Sequence, residues 1–417
     1  MSVKPAAPSR PETLSVQWPI FGTEELEALR QVLESGQWGH IDGTGSYVGL
    51  FERDFERAFA DLHTARHGLC VANGTVALQL ALEALEIGAG DEVIVPGLTW
   101  QATAAAALDV NAVPVLVDVE PDTYCLNPSA VEAAITPRTR AVIAVHLYNS
   151  LADLDALLAL CKKHDLHLVE DCAHSHGSSW NERGVGSLGA IGCFSFQLTK
   201  SLTAGEGGFC TTNSDTLQER LDSLRNCGRR PDAADDRWSA LQSGNYRLSE
   251  WQAAILSVQL TRFSKQLAQR AENARLLDEA FAAVLGMTPM RRRRQVTRQG
   301  LYAYVVRYDK DAFGGLRVST FRERLSAATG VPVGAVYQPL NDSPLYQPQT
   351  KPRYRVGEQW AQLDPTRFEL PVATHAYREE SVVIPHEVLL TDWNELSTLV
   401  ATTAQIQDEA GGSGGSA

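Results

Sequence analysis

Six short runs in the first half of the chain are apolar at consecutive rather than alternate positions. They are EVIVP at 92–96, PVLVDVE at 114–120, AVIAVHL at 141–147, LHLVED at 166–171, IGCFSF at 191–196 and GGFCTT at 207–212. A strand of this kind needs cover on both of its faces. The stretches 100–108, 128–135, 154–164 and 215–225 between them carry helical spacing and can supply that cover. Strands alternating with helices predict an α/β fold on a mostly parallel sheet. Ligands in such folds gather at the carboxyl ends of strands, so the polar residues just past each run are where chemistry is expected.

Further on, 249–285 contains no Gly or Pro and keeps helical spacing. At the α-helical rise it spans roughly 50 Å, as one helix or two in tandem. The remainder of the chain changes character: a strand at 301–308, a helix at 318–328, a strand at 332–337 and a last helix from about 392. This predicts a large domain over 18–265 and a smaller α+β domain over 266–409. Residues 1–17, rich in Pro and Ser, read as an arm, and 410–417, ending in GGSGGSA, as a flexible tail.

The chain has 417 residues, 44% hydrophobic and 21% charged, with a net charge of −13. The balance disfavours a general nucleic-acid partner. No apolar run approaches the ~18 residues that span a bilayer, and the first residues lack the apolar core of a signal peptide. A soluble, cytoplasmic protein without a membrane partner is expected. Its seven cysteines are scattered, never spaced as CxxC, and mostly within apolar runs, which favours buried thiols over disulfides or a zinc site.

Four strand ends carry chemistry. Asp171 closes LHLVED, where a carboxylate serves either as a turn cap or as a functional group at the sheet mouth. Lys200 lies in FSFQLTKSLTAGEGG (194–208), after Phe194, Phe196 and Leu198 and before a Gly-rich turn. A lone loop lysine is ordinarily a solvated charge. Crowding by apolar groups lowers its pKa and makes the amine a nucleophile toward a carbonyl carbon. Asn73, Gly74 and Thr75 open an amphipathic helix at 72–85, whose free N–H groups suit a phosphate, although alone they would be a plain cap. Trp100, in VPGLTW, is placed to stack on a planar ring or to join the core. In chain order these are a phosphate cradle, an aromatic lid, an acid and a nucleophilic amine. They are the parts of a pyridoxal phosphate site, where the acid keeps the pyridine nitrogen protonated.

The motifs VPGLTW, VEDCAHSHG, FSFQLTKSLTAGEGG and SGNYRLSE resemble the DegT/StrS family of sugar aminotransferases, over about 18–407. Within it, GDEVIVPGLTWQATA, VDVEPDTYCLNP and FGGL are most similar to glutamine-dependent aminotransferases of keto-cyclitols such as scyllo-inosose and 2-deoxy-scyllo-inosose, from aminoglycoside biosynthesis. The resemblance implies the type I pyridoxal phosphate (aspartate aminotransferase-like) fold and pyridoxal 5′-phosphate as cofactor. It implies that Lys200 carries the cofactor and then moves the proton, and that Asp171 pairs with the pyridine nitrogen. His174 would contact the ring or its hydroxyl; Gly74, Thr75 and Ser195 would hold the phosphate; and Trp100 would stack on the ring. Asn245 would reach the phosphate in a neighbouring subunit of a homodimer. Read from the residues alone, Asn245 is a helix-entry residue.

The chain departs from cyclitol relatives at Asn149, at Tyr337 and Gln338, and at Ile384, Pro385 and His386, all toward the substrate side. These departures leave transamination standing and open the acceptor to alternatives, a nucleotide-linked ketosugar or an aminohydroxybenzoate precursor. Lys200 argues against the dehydratases of the family, which carry His there. A non-catalytic pyridoxal-binding regulator is one rival of another class. The second is a metal hydrolase using Asp171, Cys172, His174, His176 and His146, though no HExxH-like spacing is present. GxSxG is absent, and GTGSYVG at 43–49 has the wrong spacing for a nucleotide loop. The basic run Arg291 to Arg294 reads as a solvated loop, or else as a contact to an acidic substrate or a partner subunit.

Overall fold

The computed structural model describes residues 17–39, 49–229, 241–355 and 357–412. Residues 1–16 of the expected arm at 1–17, most of GTGSYVG and the last five residues of the expected tail lie outside them. In chain order the strands are β1 (His67–Val71), β2 (Glu92–Pro96), β3 (Val113–Val117), β4 (Thr139–Val145) and β5 (His167–Asp171). The short hairpin β6 (Ser179–Trp180) and β7 (Arg183–Gly184) comes next, and then β8 (Ile191–Ser195) and β9 (Gly208–Thr212). The later strands are β10 (Met287–Pro289), β11 (Val296–Arg298), β12 (Ala303–Tyr308) and β13 (Ser381–Pro385). The helices are α1 (Thr23–Ser35), α2 (Glu52–Leu62), α3 (Gly74–Ala84), α4 (Ala102–Asp109), α5 (Pro128–Ala134), α6 (Leu154–His164) and α7 (Asp215–Arg225). Beyond them come α8 (Glu250–Ala282), α9 (Val318–Thr329), α10 (Pro371–His375), α11 (Trp393–Leu396) and α12 (Thr398–Gly412).

Seven strands form the main sheet in the order β1-β9-β8-β5-β4-β2-β3. Only β9 runs antiparallel to its neighbours; the pairs from β8 to β3 are parallel. Strands β2, β8 and β9 are buried along their whole length, as their unbroken apolar runs require. Helices α3, α5, α6 and α7 start at side-chain caps: Asn73, Asn127, Asp153 and Ser214 each accept a backbone N–H of the first turn. Helix α8 is a single element of 33 residues, with Gln252 Oε1 accepting the N–H of Ser249.

The molecule has two main cores. Leu267 on α8 belongs to the first, under the main sheet. Ala274, Leu277 and Phe281, further along the same helix, join Tyr304, Val306, Phe321, Val382 and Ile384 in the second. The second core is backed by the antiparallel sheet β10-β12-β13. The segment expected to belong wholly to the smaller domain is divided: Val336, Leu340, Tyr346, Tyr354, Leu363 and Leu370 pack into the first core. The strand expected at 332–337 does not form, and that stretch makes only a single bridge, Gly334 to Val383. Its residues turn instead toward Tyr148 and Gly97, whose groups bond the N–H of Tyr337 and of Leu340. The last helix reaches Gly412, three residues into the expected tail.

Six cysteines are buried and Cys227 is exposed. The arginine run is solvated at Arg291, Arg292 and Arg294, but Arg293 turns inward and three of the four are ion-paired. Arg293 pairs with Glu120 at 2.5 Å and Asp153 at 2.8 Å, Arg291 with Asp122 and Arg292 with Asp278. Those partners lie partly in the loops after β3 and before α6, so the run ties the later strands to the large sheet. No helix among the described residues is long and apolar enough to cross a membrane.

Candidate active site

Asp171 ends β5 in the middle of the sheet and is 6% exposed. Its Oδ1 accepts the N–H of Ala173, and its Oδ2 accepts the hydroxyl of Thr103 on α4. Because the Thr103 proton goes to the carboxylate, the neighbouring Thr99 hydroxyl, 3.0 Å away, donates to Thr103. Burial pushes the Asp171 pKa up, and these hydrogen bonds and the charge of Lys200 pull it back.

Strand β8 leads into the turn that carries Lys200. The turn is closed by backbone bonds from Leu198 to Gly205 and from Ala204 to Phe196. Two histidines brace it from behind: Nε2 of His176 on the carbonyl of Ser195, and Nε2 of His386 on that of Thr199. Lys200 is 9% exposed. Loss of hydration lowers its pKa to about 8, and Asp171 resists the fall. The amine is therefore substantially neutral under mildly alkaline conditions, as a nucleophile must be.

Beside this turn α3 begins. A Cβ on Gly74 would stand 2.7 Å from the Cβ of Ser195, and one on Gly208 would stand 2.3 Å from the carbonyl carbon of Asn73. Only glycine at both places lets the open end of α3 sit against β8 and β9. Asn73 caps Val76 N–H, which leaves the amides of Gly74 and Thr75 without helical partners.

These groups face one cavity of about 740 Å³. Among its lining residues are Gly74, Thr75, Trp100, Asp171, His174, Ser195 and Lys200. Asn245 is not among them. It is exposed, bridges Asn226 and accepts the N–H of Arg247. Trp100 is 45% exposed and lies 5.6 Å from the ring of Tyr337. Nδ1 of His174 accepts the N–H of Tyr148, which leaves the ring proton on Nε2, 3.3 Å from the hydroxyl of Tyr337. Burial and the charge of Lys200 push the His174 pKa well below its ordinary value and keep the ring neutral.

Three lining residues carry no site signal in the sequence. Thr103 looks like an ordinary helix position, and Tyr337 stands out only as a departure from cyclitol relatives. Tyr302 lies between the Arg291 to Arg294 loop and β12, and its hydroxyl is 3.1 Å from Thr199, 103 residues earlier. A period-based signal cannot find such a residue, because its role depends on a long-range crossing.

The candidate metal ligands are dispersed. Asp171 and His174 face the cavity, whereas His176 is packed among Phe59, Phe194 and Phe196. His146, Glu170 and Cys172 converge behind the sheet. There Glu170 already accepts the N–H groups of Gly186, Leu188 and Gly189.

The model of the DegT/DnrJ/EryC1/StrS aminotransferase family matches residues 19–386. The chain belongs to this family. The L-glutamine:2-deoxy-scyllo-inosose aminotransferase of Streptoalloteichus tenebrarius is 43% identical over 398 residues, 93% of each chain. The L-glutamine:scyllo-inosose aminotransferase of Streptomyces griseus is 41% identical over 404 residues, 94% of each chain. Among solved structures, 3-amino-5-hydroxybenzoic acid synthase superposes with a TM-score of 0.82 at 32% identity, covering 95% of this chain and all of that one. As a DegT/DnrJ/EryC1/StrS aminotransferase the protein has the type I fold, and its cofactor is pyridoxal 5′-phosphate. The site fits that group: a buried amine, a buried carboxylate and a helix start cleared by two glycines share one cavity.

Proposed function

We propose that this aminotransferase moves the amino group of L-glutamine to a cyclic polyol ketone of the scyllo-inosose or 2-deoxy-scyllo-inosose type, in aminocyclitol biosynthesis. Such relatives, 41–43% identical over nearly the whole chain, support the reading. The observation that carries it against a nucleotide-linked ketosugar is the charge of the cavity. Among the described residues Lys200 is the sole Lys or Arg lining it, while Asp171 and Glu206 line it too, and Asp109, a third lining carboxylate, already engages Arg353. A diphosphate would meet no guanidinium there, whereas an uncharged ring of hydroxyls is suited to the aromatic and hydroxyl wall of Trp100, Tyr302, Tyr337 and Thr199.

Bound pyridoxal 5′-phosphate supplies an electron sink for the carbon that loses a proton. Lys200 would hold that group through Nζ and, once freed by the donor amine, its neutral Nζ would take the proton from the donor carbon and return it one position away. Asp171 keeps the pyridine nitrogen protonated, and its own bonds from Thr103 and Ala173 fix its orientation. The amides of Gly74 and Thr75 and the hydroxyl of Ser195 receive the phosphate. Trp100 and neutral His174, which both line the cavity, would contact the ring. Asn245 completes the phosphate site of a second copy of the chain in a cytoplasmic homodimer.

The test offers enzyme loaded with pyridoxamine phosphate to scyllo-inosose, 2-deoxy-scyllo-inosose, C7 keto-cyclitols and nucleotide ketosugars. Return of visible absorbance with a cyclitol supports the reading, and a response to nucleotide sugars alone overturns it. Pyridoxal-loaded enzyme whose absorbance glutamine leaves unchanged refutes the donor.

A further inference from the structure

Tyr302 is held between two groups of the site. The His174 ring lies parallel to it, 13° off, with centroids 3.7 Å apart. Nζ of Lys200 stands over the same ring, 4.3 Å from its centre. One face cannot take both, so imidazole and ammonium sit on opposite faces. The phenol is fixed at three points. Its backbone N–H bonds the carbonyl of Tyr148 at 3.1 Å. The Thr199 hydroxyl donates to Gln197 Oε1, so the Tyr302 hydroxyl donates to Thr199. His174, the third support, is itself held by Tyr148.

We infer that Tyr302 is a positioning residue for Lys200, its ring face being the seat on which the lysine ammonium rests when the amine is free of the cofactor and carries its proton. The inference builds on the assignment of Lys200 as the cofactor-bearing lysine. Its physical basis is the attraction of an ammonium to the negative face of an aromatic ring, strongest where water is excluded. A released lysine has four rotatable bonds and would otherwise wander from the reacting carbon. Seated on Tyr302, it stays beside Asp171 and keeps its proton ready for return. The other charged or titratable groups facing it are Asp171 at the end of β5, His174 and His176 in the turn after it, and His386 after β13. All three histidines are held neutral by burial, so the Tyr302 face and the Asp171 carboxylate are the two features that favour the charged amine.

The test uses cofactor-free protein and the rate at which pyridoxal phosphate combines with Lys200, followed by absorbance across pH. The midpoint of this profile reports the lysine ammonium. Tyr302→Phe keeps the ring and loses only the hydroxyl, so its midpoint should match the wild type. Tyr302→Leu and Tyr302→Met remove the ring face, and their midpoints should fall by about one pH unit, a tenfold loss of preference for the ammonium. Using two aliphatic variants keeps the comparison available if one does not fold. An unchanged midpoint in the aliphatic variants refutes the seat, and an equal fall in Tyr302→Phe assigns the effect to the hydroxyl and refutes it as well. If wild-type protein does not combine with pyridoxal phosphate through Lys200, as judged against Lys200→Ala, the underlying assignment fails instead.

Discussion

Gly74→Ala separates the cofactor cradle from the stability of the helix that forms it. In a free helix alanine would be the better residue by about 1 kcal/mol. Here its Cβ would lie 2.7 Å from Ser195 Cβ, 3.2 Å from Ser195 Oγ and 3.3 Å from Ser195 Cα. Ordinary contact begins at 3.4 Å, so the two segments must part by 3.4 − 2.7 = 0.7 Å. No rotamer of Ser195 relieves a clash with its Cβ. β8 is pinned on both edges by β5 and β9, so the start of α3 must yield. A hydrogen bond near 2.9 Å stretched by that amount is effectively lost. Bonds to a charged oxygen contribute about 1.5–3 kcal/mol each. Loss of one bond, with weakening of a second, should reduce pyridoxal phosphate affinity by roughly 10²-fold. The assay is absorbance titration of cofactor-free protein, with circular dichroism to show that the fold persists. Gly334→Ala is the control, since a Cβ there meets nothing within 4 Å. Binding by Gly74→Ala within about twofold of the wild type would refute the reasoning that α3 and β8 form the phosphate cradle by close approach.

Asp171→Ala should still load pyridoxal phosphate onto Lys200 but slow the glutamine half-reaction by on the order of 10²-fold or more; unchanged single-turnover kinetics would remove Asp171 from the site. Arg293→Ala should destabilise the protein by about 2 kcal/mol in urea, because it leaves Glu120 and Asp153 unpaired at a half-buried junction, whereas exposed Arg294→Ala should stay within about 0.5 kcal/mol. The stability of the cofactor-free protein should fall on acidification from pH 7 to 5. His63 and His176 have pKa values lowered to about 3, and those of His174 and His386 lie well below the ordinary value. Below about 6.5 the unfolded chain therefore binds protons that the folded one refuses, at up to ~1.4 kcal/mol per pH unit for each histidine. The raised carboxylates of Glu52 and Asp171 act in the opposite sense, and a melting temperature that rises over this range would contradict the balance.

The cofactor half of the site is legible in the sequence because it is local. Each of its residues comes a few positions after an apolar run, and a parallel sheet places all such positions on one edge. Asp171 sits at the last residue of β5, and Lys200 five residues beyond β8. The other half is not legible, because it depends on pairings far apart in sequence. Residues 332–337 have the composition of a strand, yet β12 pairs with 381–385 instead. That choice frees Tyr337 to turn into the cavity. The ion pairs of the largely exposed arginine run escape the sequence for the same reason: its partners, at 120, 122, 153 and 278, cannot be recognised from the run itself.

The division between the two halves bears on what the enzyme can accept. The chain is acidic overall, at −13, and three carboxylates line the cavity beside one lysine. On the proposed function, a phosphate dianion would be held against that field only by groups in direct contact, and α3 does approach β8 so closely that no Cβ fits between them. Among the described residues Lys200 is the only Lys or Arg lining the cavity, and on the proposed reading it is engaged with the cofactor or seated on Tyr302. A second anionic ligand would find neither a close-packed helix start nor a guanidinium on the side of Tyr302 and Tyr337. An uncharged polyol meets no such penalty, since hydroxyls bond to phenols and carboxylates alike and a ring C–H face packs on an aromatic wall. On the proposed function, selection for a neutral acceptor follows from where the positive charge lies, and it should survive substitution of the individual aromatic residues that shape the pocket.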